Sequence, residues 1–268
     1  MARVKHLDVI VGSIQNLTFY TRKGSEEVFV RTKGGASKSK IKRSPAFVNV
    51  RKNNQEFGGC SKMSSQIRQT FSTIAHVADY NLAPALCSLA KNIQKGDIDN
   101  PVGERSLYLT KYKEYLIGFE FNKTNRFDSM LRIPLQWKID RAARQAMVEI
   151  PAFASSFGLY LVGNYSLFRI VISLGWATDL AINEHKNGYV PTYPKLIMNY
   201  RPKPTAWYST QASVPEQQLL LDIYDPYIPL LDDDTLILAI AIELGTLDAF
   251  GNPTPLKHAG AGKILGIA

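Results

Sequence analysis

The positive charge of this chain is concentrated in its first quarter, and that concentration limits how the quarter can fold. Residues 1–68 contain 14 Lys/Arg against 4 Asp/Glu, a balance of +10, whereas the remaining 200 residues contain 18 against 19, a balance of −1. Within this quarter, residues 33–42 (KGGASKSKIK) are mostly Lys, Gly and Ser. A tract of this composition cannot bury apolar area, so we expect a loop or an arm.

Strand patterns precede the basic tract. Apolar and polar residues alternate in residues 9–20 and again in residues 27–32, and the interval 22–25 (RKGS) has the chemistry of a turn. Two alternating runs joined by a short turn predict a β-hairpin.

Helical patterns follow the tract. The Ser-Pro pair at residues 44–45 is typical of a helix start, with Ser as N-cap and Pro in the first turn. Apolar residues then recur at roughly helical spacing, which predicts one broken helix or two helices between about 45 and 79. We expect the break at the Gly-Gly pair 58–59, and a further helix at about 82–94.

Beyond residue 118 the apolar pattern shifts towards period two. A short helix is expected first, within residues 105–119, and the clearest strand is expected at residues 131–139. Further strands are predicted at residues 146–151, 159–162, 167–176, 189–198, 219–224, 236–244 and 263–267. Short strands separated by Gly, Pro, Asn and Asp are typical of a β-sandwich.

These patterns together predict an α+β protein: an N-terminal β-hairpin plus helices, followed by a mostly antiparallel β-sandwich domain. The composition shifts near residue 125, so we expect domains at residues 1–125 and 126–268. The apolar content of 45% is ordinary for a globular protein.

Several short motifs resemble known families. The residues concerned are Gly12, Phe19, Tyr20, Arg31, Lys33, Gly34, Gly35, Pro45, Phe47, Arg51, Glu56, Phe57, Arg68, Gly103, Arg105, Ile150 and Pro151. Their pattern, G-x(6)-FY…R-x-K-G-G…P-x-F-x(3)-R, resembles the N-terminal signature of a family of uncharacterised bacterial proteins. The first 70 residues or so are also similar to the start of some phage-derived structural proteins. Both resemblances imply a structural or assembly role, and neither implies a reaction.

The motifs of common catalytic sites are missing from the sequence. The histidines lack the sequence spacing of zinc ligands. The pair that comes closest to such a spacing is His76 with an Asp three residues later. Cys87 lies in an apolar stretch that would raise its pKa, and the Gly-Gly pair 34–35 does not match a phosphate-binding loop. We therefore expect no enzymatic activity, no metal and no cofactor.

The basic segment is the candidate site. Its assembly or anion-binding residues are Arg22, Lys23, Arg31, Lys33, Lys38, Lys40, Lys42, Arg43 and Arg51. A second, acidic patch is predicted at Asp222, Asp225, Asp232, Asp233 and Asp234. Opposite charges on one chain favour head-to-tail contacts, which propagate into rings or filaments.

Two functions are consistent with this distribution. The first is a structural subunit that binds copies of itself and builds a filament, tube or shell. The alternative is a nucleic-acid-binding protein, whose basic residues contact phosphates and whose aromatic residues stack on bases. Lipid is a further anionic partner that charge alone does not exclude. Two other interpretations of the chain stay open: the basic segment is a solvated arm without a partner, or the protein is an enzyme of an unrecognised kind.

The sequence also bears on location. The N-terminus has no signal-peptide pattern, and the longest strongly apolar run, residues 236–242, is too short to span a bilayer. Cys60 and Cys87 do not make a disulfide framework and are expected to be reduced. We expect a chain that is made and kept in the cytoplasm, or released by lysis.

Overall fold

The chain divides into two compact units, residues 1–51 and residues 52–268. The computed structural model describes residues 3–6, 9–22, 27–183, 188–191 and 200–268. The boundary predicted near residue 125 lies inside the second unit. Helices before that position and strands after it share one apolar core, so the composition shift does not separate two folding units.

The first unit contains a four-stranded antiparallel sheet in chain order. Its strands are β1 (Arg3–His6), β2 (Val9–Ile14), β3 (Leu17–Thr21) and β4 (Val28–Thr32). The stretch 9–20 therefore forms two strands and not the single strand predicted. The chain reverses at Gln15, whose φ of 48° is in the left-handed region that a two-residue hairpin turn requires. Residues 23–25 of the expected turn lie outside the described residues.

Part of the tract predicted as a loop or arm is helical. Helix α1 (Lys38–Arg43) begins after Ser37, whose side chain accepts a hydrogen bond from the backbone N–H of Lys40. At its other end, Nη1 of Arg51 donates to the carbonyls of Ile41 and Ser44, at 2.7 and 2.9 Å. The caps at both ends form hydrogen bonds with backbone groups that would have no partner in a short helix. The prediction of a loop was therefore wrong for residues 38–43.

A 3₁₀ turn (Pro45–Phe47) leads into helix α2 (Val48–Gln69), which runs unbroken through Gly58 and Gly59. The predicted break is wrong because tertiary packing uses the second glycine: a Cβ at Gly59 would lie 2.7 Å from the ring of Tyr189. The absent side chain lets that ring lie directly on the helix.

Helix α3 (Leu82–Lys95) confirms the helix predicted at 82–94, with Asn81 as N-cap. The remaining helical segments are short. They are the 3₁₀ turns Ala75–Val77, Leu109–Lys111 and Lys113–Leu116, helix α4 (Phe127–Met130) and helix α5 (Ser155–Gly158). The predicted helix within residues 105–119 is thus two 3₁₀ turns.

The strands of the second unit form two main antiparallel sheets. In chain order they are β5 (Gln136–Asp140), β6 (Gln145–Ile150), β7 (Phe153–Ala154), β8 (Leu167–Thr178), β9 (Leu180–Asn183), β10 (Gly188–Pro191), β11 (Tyr200–Pro204), β12 (Tyr208–Ser209), β13 (Ser213–Val214), β14 (Gln217–Asp222), β15 (Asp234–Leu247) and β16 (Pro253–Ile267). A five-stranded sheet has the order β11-β8-β15-β16 with β12 also on β8, and a three-stranded sheet has the order β14-β6-β5. β9 pairs with β10, and β7 pairs with β13.

The strand predicted at 131–139 forms only over its second half. Leu131 makes an isolated bridge to Leu159, and regular pairing begins at Gln136. Pro134 lies between them and has no N–H to donate to a ladder.

The long central strands of the five-stranded sheet, β8 and β15, are buried on both faces, whereas β11 at one edge is mostly exposed. Ile170, Ile172 and Leu174 of β8 pack in one apolar cluster with Val148 and Leu219 of the three-stranded sheet. The residues between them face the other way, where Val171 joins a cluster with residues of α2 and α3. This alternation produces a helical layer, a central sheet and a second sheet, which confirms the α+β class. None of the helices in the described residues is both long and apolar enough to cross a membrane.

Candidate functional site

One face of the N-terminal sheet carries exposed aliphatic side chains. In the register, Leu17 lies opposite Ile14 and Phe19 lies opposite Val30, so these residues share a face. The exposed fractions of Ile14, Leu17 and Val30 are 46%, 41% and 53%. Moreover, none of the described side chains in 11–22 and 27–51 is buried. Within residues 11–22 and 27–51, the apolar sheet face thus covers no buried side chain.

The opposite face combines aromatic and cationic side chains. The rings of Tyr20 and Phe29 stack with their centroids 5.7 Å apart. The guanidinium of Arg22 lies 4.4 Å from the centroid of Phe29, and that of Arg31 lies 5.5 Å from the centroid of Tyr20. Each arginine is within the distance of a cation–π contact. In the described part of β2 to β4, the sheet therefore presents one mostly aliphatic face, which also carries Phe19, and one aromatic, positively charged face.

The predicted basic residues fall into separate groups. Arg22 and Arg31 meet on the sheet, and α1 carries the exposed cations Lys38, Lys40, Lys42 and Arg43. Lys33 is exposed just after β4, and Lys23 lies outside the described residues. Arg51 differs from the others because its guanidinium caps α1. Its role in the first unit is therefore structural.

The predicted acidic patch is only partly a surface. Asp234 is fully buried, and it accepts hydrogen bonds from the hydroxyl of Thr178 at 2.6 Å and from the N–H of Leu231 at 2.8 Å. This aspartate organises the loop before β15, so its assignment to an exposed patch was wrong. Asp233 is half-buried, whereas Asp232 is exposed.

The two earlier aspartates of the patch hold turns. Asp222 is exposed, and the N–H of Tyr224 and the side chain of Gln145 donate to it, which lowers the pKa of its carboxyl. Asp225 is half-buried and accepts the N–H of Tyr227 at 2.9 Å. Only Asp222 and Asp232 are left as exposed carboxylates of the predicted patch.

The second unit contains a buried ionic cluster that the sequence did not predict. The carboxylate of Glu56 is fully buried. Its Oε1 accepts hydrogen bonds from the N–H of Gly103 at 2.8 Å and from Nε of Arg105 at 2.7 Å. Its Oε2 accepts from Nη2 of Arg105 at 2.6 Å and from Nζ of Lys91 at 2.5 Å. Burial raises the pKa of Glu56, but the hydrogen bonds from Arg105, Gly103 and Lys91 outweigh it and lower the pKa to about 2.

A hydrogen-bonded network extends this cluster. The amide of Gln94 is buried, and it contacts Nζ of Lys91, Sγ of Cys60 and the hydroxyl of Tyr189. The hydroxyl of Tyr189 donates to the carbonyl of Arg105 at 2.6 Å. Burial raises the pKa of the Cys60 thiol to about 11. The network joins α2, α3 and β10, so we interpret it as a structural clamp.

His76 lies near a different carboxylate from the one that the sequence suggested. Its Nε2 is 3.3 Å from Oε1 of Glu243, while Asp79 accepts the backbone N–H groups of Lys123 and Thr124. In the part of the chain that the structure describes, no group of three His, Cys, Asp or Glu side chains is arranged to hold a metal ion.

No protein-family model, curated protein or solved structure matches this chain. The resemblance of the N-terminal signature therefore stays a prediction. Three of the residues that carry it, Glu56, Gly103 and Arg105, meet in the buried ionic cluster.

Proposed function

We propose that this protein is a non-enzymatic structural subunit that assembles with copies of itself through residues 1–51, in a filament, tube or shell. The observation that carries the proposal is the exposed aliphatic face of the N-terminal sheet. Sheets in globular proteins cover such a face with a second layer. A second copy of the chain offers the same face and so a matching surface.

The energy of this contact follows from the exposed side chains. Ile14, Leu17 and Val30 are about half exposed, and complete burial of such a side chain is worth about 1.5–3 kcal/mol. Covering all three contributes roughly 2–4 kcal/mol per copy. Association also costs several kcal/mol of lost freedom, so this contact alone makes a concentration-dependent dimer.

An extended assembly requires a second kind of contact, because a face that meets itself closes a dimer. Opposite charges on two copies of the chain supply this second contact. Exposed Lys38, Lys40 and Lys42 of one copy complement exposed Asp222 and Asp232 of another. High salt weakens this contact while leaving the aliphatic one in place.

Size-exclusion chromatography with light scattering, over a series of protein and salt concentrations, tests the proposal. Large particles at low salt and dimers at high salt are expected. Val30→Asp places a charge on the aliphatic face and is expected to abolish the dimer at high salt. Phe250→Asp is the matched control, because Phe250 is 90% exposed in the second unit. A monomer at every concentration and salt, or equal loss in both variants, contradicts the proposal.

The aromatic, positively charged face favours a second function, binding of single-stranded nucleic acid. Stacked Tyr20 and Phe29 offer planar surfaces to bases, and Arg22, Arg31 and the cations of α1 lie in the same unit. Fluorescence anisotropy with a labelled oligonucleotide tests this function. Charge reversal of Lys38, Lys40, Lys42 and Arg43 should weaken binding, and wild-type affinity should fall steeply with salt. No anisotropy change at low salt excludes it.

A further inference from the structure

Helices α2 and α3 leave a groove of about 740 Å³ between them. This volume is in the range of small-molecule sites in proteins. Along α2 the groove extends from Asn53 to Arg68, which at the rise of an α-helix is roughly 22 Å. The walls include Phe57, Ala83 and Cys87. The groove is therefore long, and its apolar walls are interrupted by the polar side chains of Asn53, Asn54, Ser61, Ser64 and Ser88.

The charges at the groove are of one sign. Arg68 and Lys91 line it, and none of the described residues that line it is Asp or Glu. Lys91 is ion-paired with Glu56 of the buried ionic cluster, and Glu56 also pairs with Arg105. Arg68 differs: its Nε is buried, and within the described residues no group accepts a hydrogen bond from it. This Nε is closed to water and so to a ligand, but a guanidinium that lines a groove and has no carboxylate partner among the described residues favours an anionic ligand at its terminal nitrogens.

The apolar wall of the groove also exposes an aromatic side chain to water. Phe57 is 64% exposed although its ring lines the groove. A large aromatic side chain at a groove wall gains stability when a ligand removes it from water. The groove thus combines an apolar channel with a cation that has no carboxylate partner in the described chain.

We propose that this groove binds a long-chain carboxylate, with the carboxylate on Arg68 and the hydrocarbon chain along α2 towards Phe57. The length and the apolar walls favour an extended chain over a compact polar ligand. A guanidinium binds a carboxylate through two parallel hydrogen bonds. This activity is separate from self-assembly, because every residue of the groove lies outside residues 1–51.

Isothermal titration calorimetry with dodecanoate, at concentrations below micelle formation, tests the proposal. Saturable binding at one site per chain is expected. Arg68→Gln removes the charge and should weaken binding by roughly tenfold or more. Lys95→Gln is the matched control, since Lys95 is an exposed cation of α3 outside the groove, and it should bind as the wild type does.

A second pair of variants tests the channel. Ser88→Trp fills the groove from an exposed position of α3 and should abolish binding, while Gln55→Trp changes an exposed position of α2 outside the groove and should not. Circular dichroism reports whether each variant folds. If Ser88→Trp is unfolded, Ser61→Trp blocks the same groove from α2.

Three outcomes would overturn the proposal. The first is the absence of saturable dodecanoate binding, and the second is binding that persists in folded Ser88→Trp or Ser61→Trp. The third is equal affinity for dodecyltrimethylammonium, which has the same chain and a cationic head. Vesicles of phosphatidylglycerol separate a free ligand from a membrane lipid: vesicle binding that depends on Arg68 would overturn the assignment to a free carboxylate.

Discussion

Substitution of Glu56 by Gln removes the charge at the centre of the buried ionic cluster. The pKa of Glu56 is lowered from 4.5 to about 2, and each pKa unit corresponds to 1.36 kcal/mol, so the ionised form stabilises the fold by about 3 kcal/mol. Breaking a buried ion pair costs about 3–5 kcal/mol in other proteins. Lys91 is 34% exposed and can turn to water, which favours the lower value. Glu56→Gln is therefore expected to lower the free energy of unfolding by about 3 kcal/mol at pH 7.

The same cluster makes this loss depend on pH. The pKa of Glu56 is lower in the folded protein than in the unfolded chain, so its stabilisation is fully present above pH 4.5. The stabilisation is lost as pH falls from 4.5 towards 2, where the folded protein also takes up the proton. The difference between wild type and Glu56→Gln is thus expected to shrink to under about 1 kcal/mol near pH 2.

Urea denaturation followed by circular dichroism, at pH 7, 5, 4, 3 and 2, measures this difference. Glu216→Gln is the control, because Glu216 is exposed, and it should change the free energy of unfolding by less than about 0.5 kcal/mol. A loss under about 1 kcal/mol at pH 7 would refute the role assigned to the cluster. So would a loss that stays constant down to pH 3.

Further substitutions test the packing of α2 and the loop before β15. Gly59→Ala places a Cβ 2.7 Å from the ring of Tyr189 and should destabilise the fold by about 1–3 kcal/mol in thermal unfolding. Its neighbour Gly58 has open space, so Gly58→Ala should instead stabilise by up to about 1 kcal/mol; equal effects would contradict the continuous helix. Asp234→Ala leaves buried donors without an acceptor and should cost about 1–3 kcal/mol, whereas Asp232→Ala on the exposed side should cost under about 0.5 kcal/mol. If both substitutions lowered the free energy of unfolding by a similar amount, Asp234 would behave like an exposed residue, and the acidic surface patch predicted from the sequence would be supported.

Signals between near neighbours predicted much of the backbone. The helix at 82–94 follows from its apolar period and its Asn N-cap, and the structure places α3 at Leu82–Lys95. Strand alternation likewise located β14 and β15 to within a few residues. Periodicity and capping act within a few residues, so both can be read from the sequence.

Features that depend on distant contacts were not predicted. The Gly-Gly pair was expected to break α2, but one of its glycines is the contact surface for Tyr189, which lies far along the chain. The basic tract looked like a loop, yet Arg51 closes the helix within it. In each case the helix is stabilised by a residue that lies outside the few neighbouring positions from which a helix is predicted.

The buried ionic cluster is the clearest case of structure that local patterns do not contain. Glu56 lies in a polar part of α2 and, taken alone, is indistinguishable from a solvent-facing glutamate. Its partners Lys91, Gly103 and Arg105 come from α3 and the loop that follows, and only folding brings them to one carboxylate. The chain's periodicity sets which segments are helices and strands, since that depends on near neighbours. Packing sets which charges are buried and paired, because burial depends on segments that are distant along the chain.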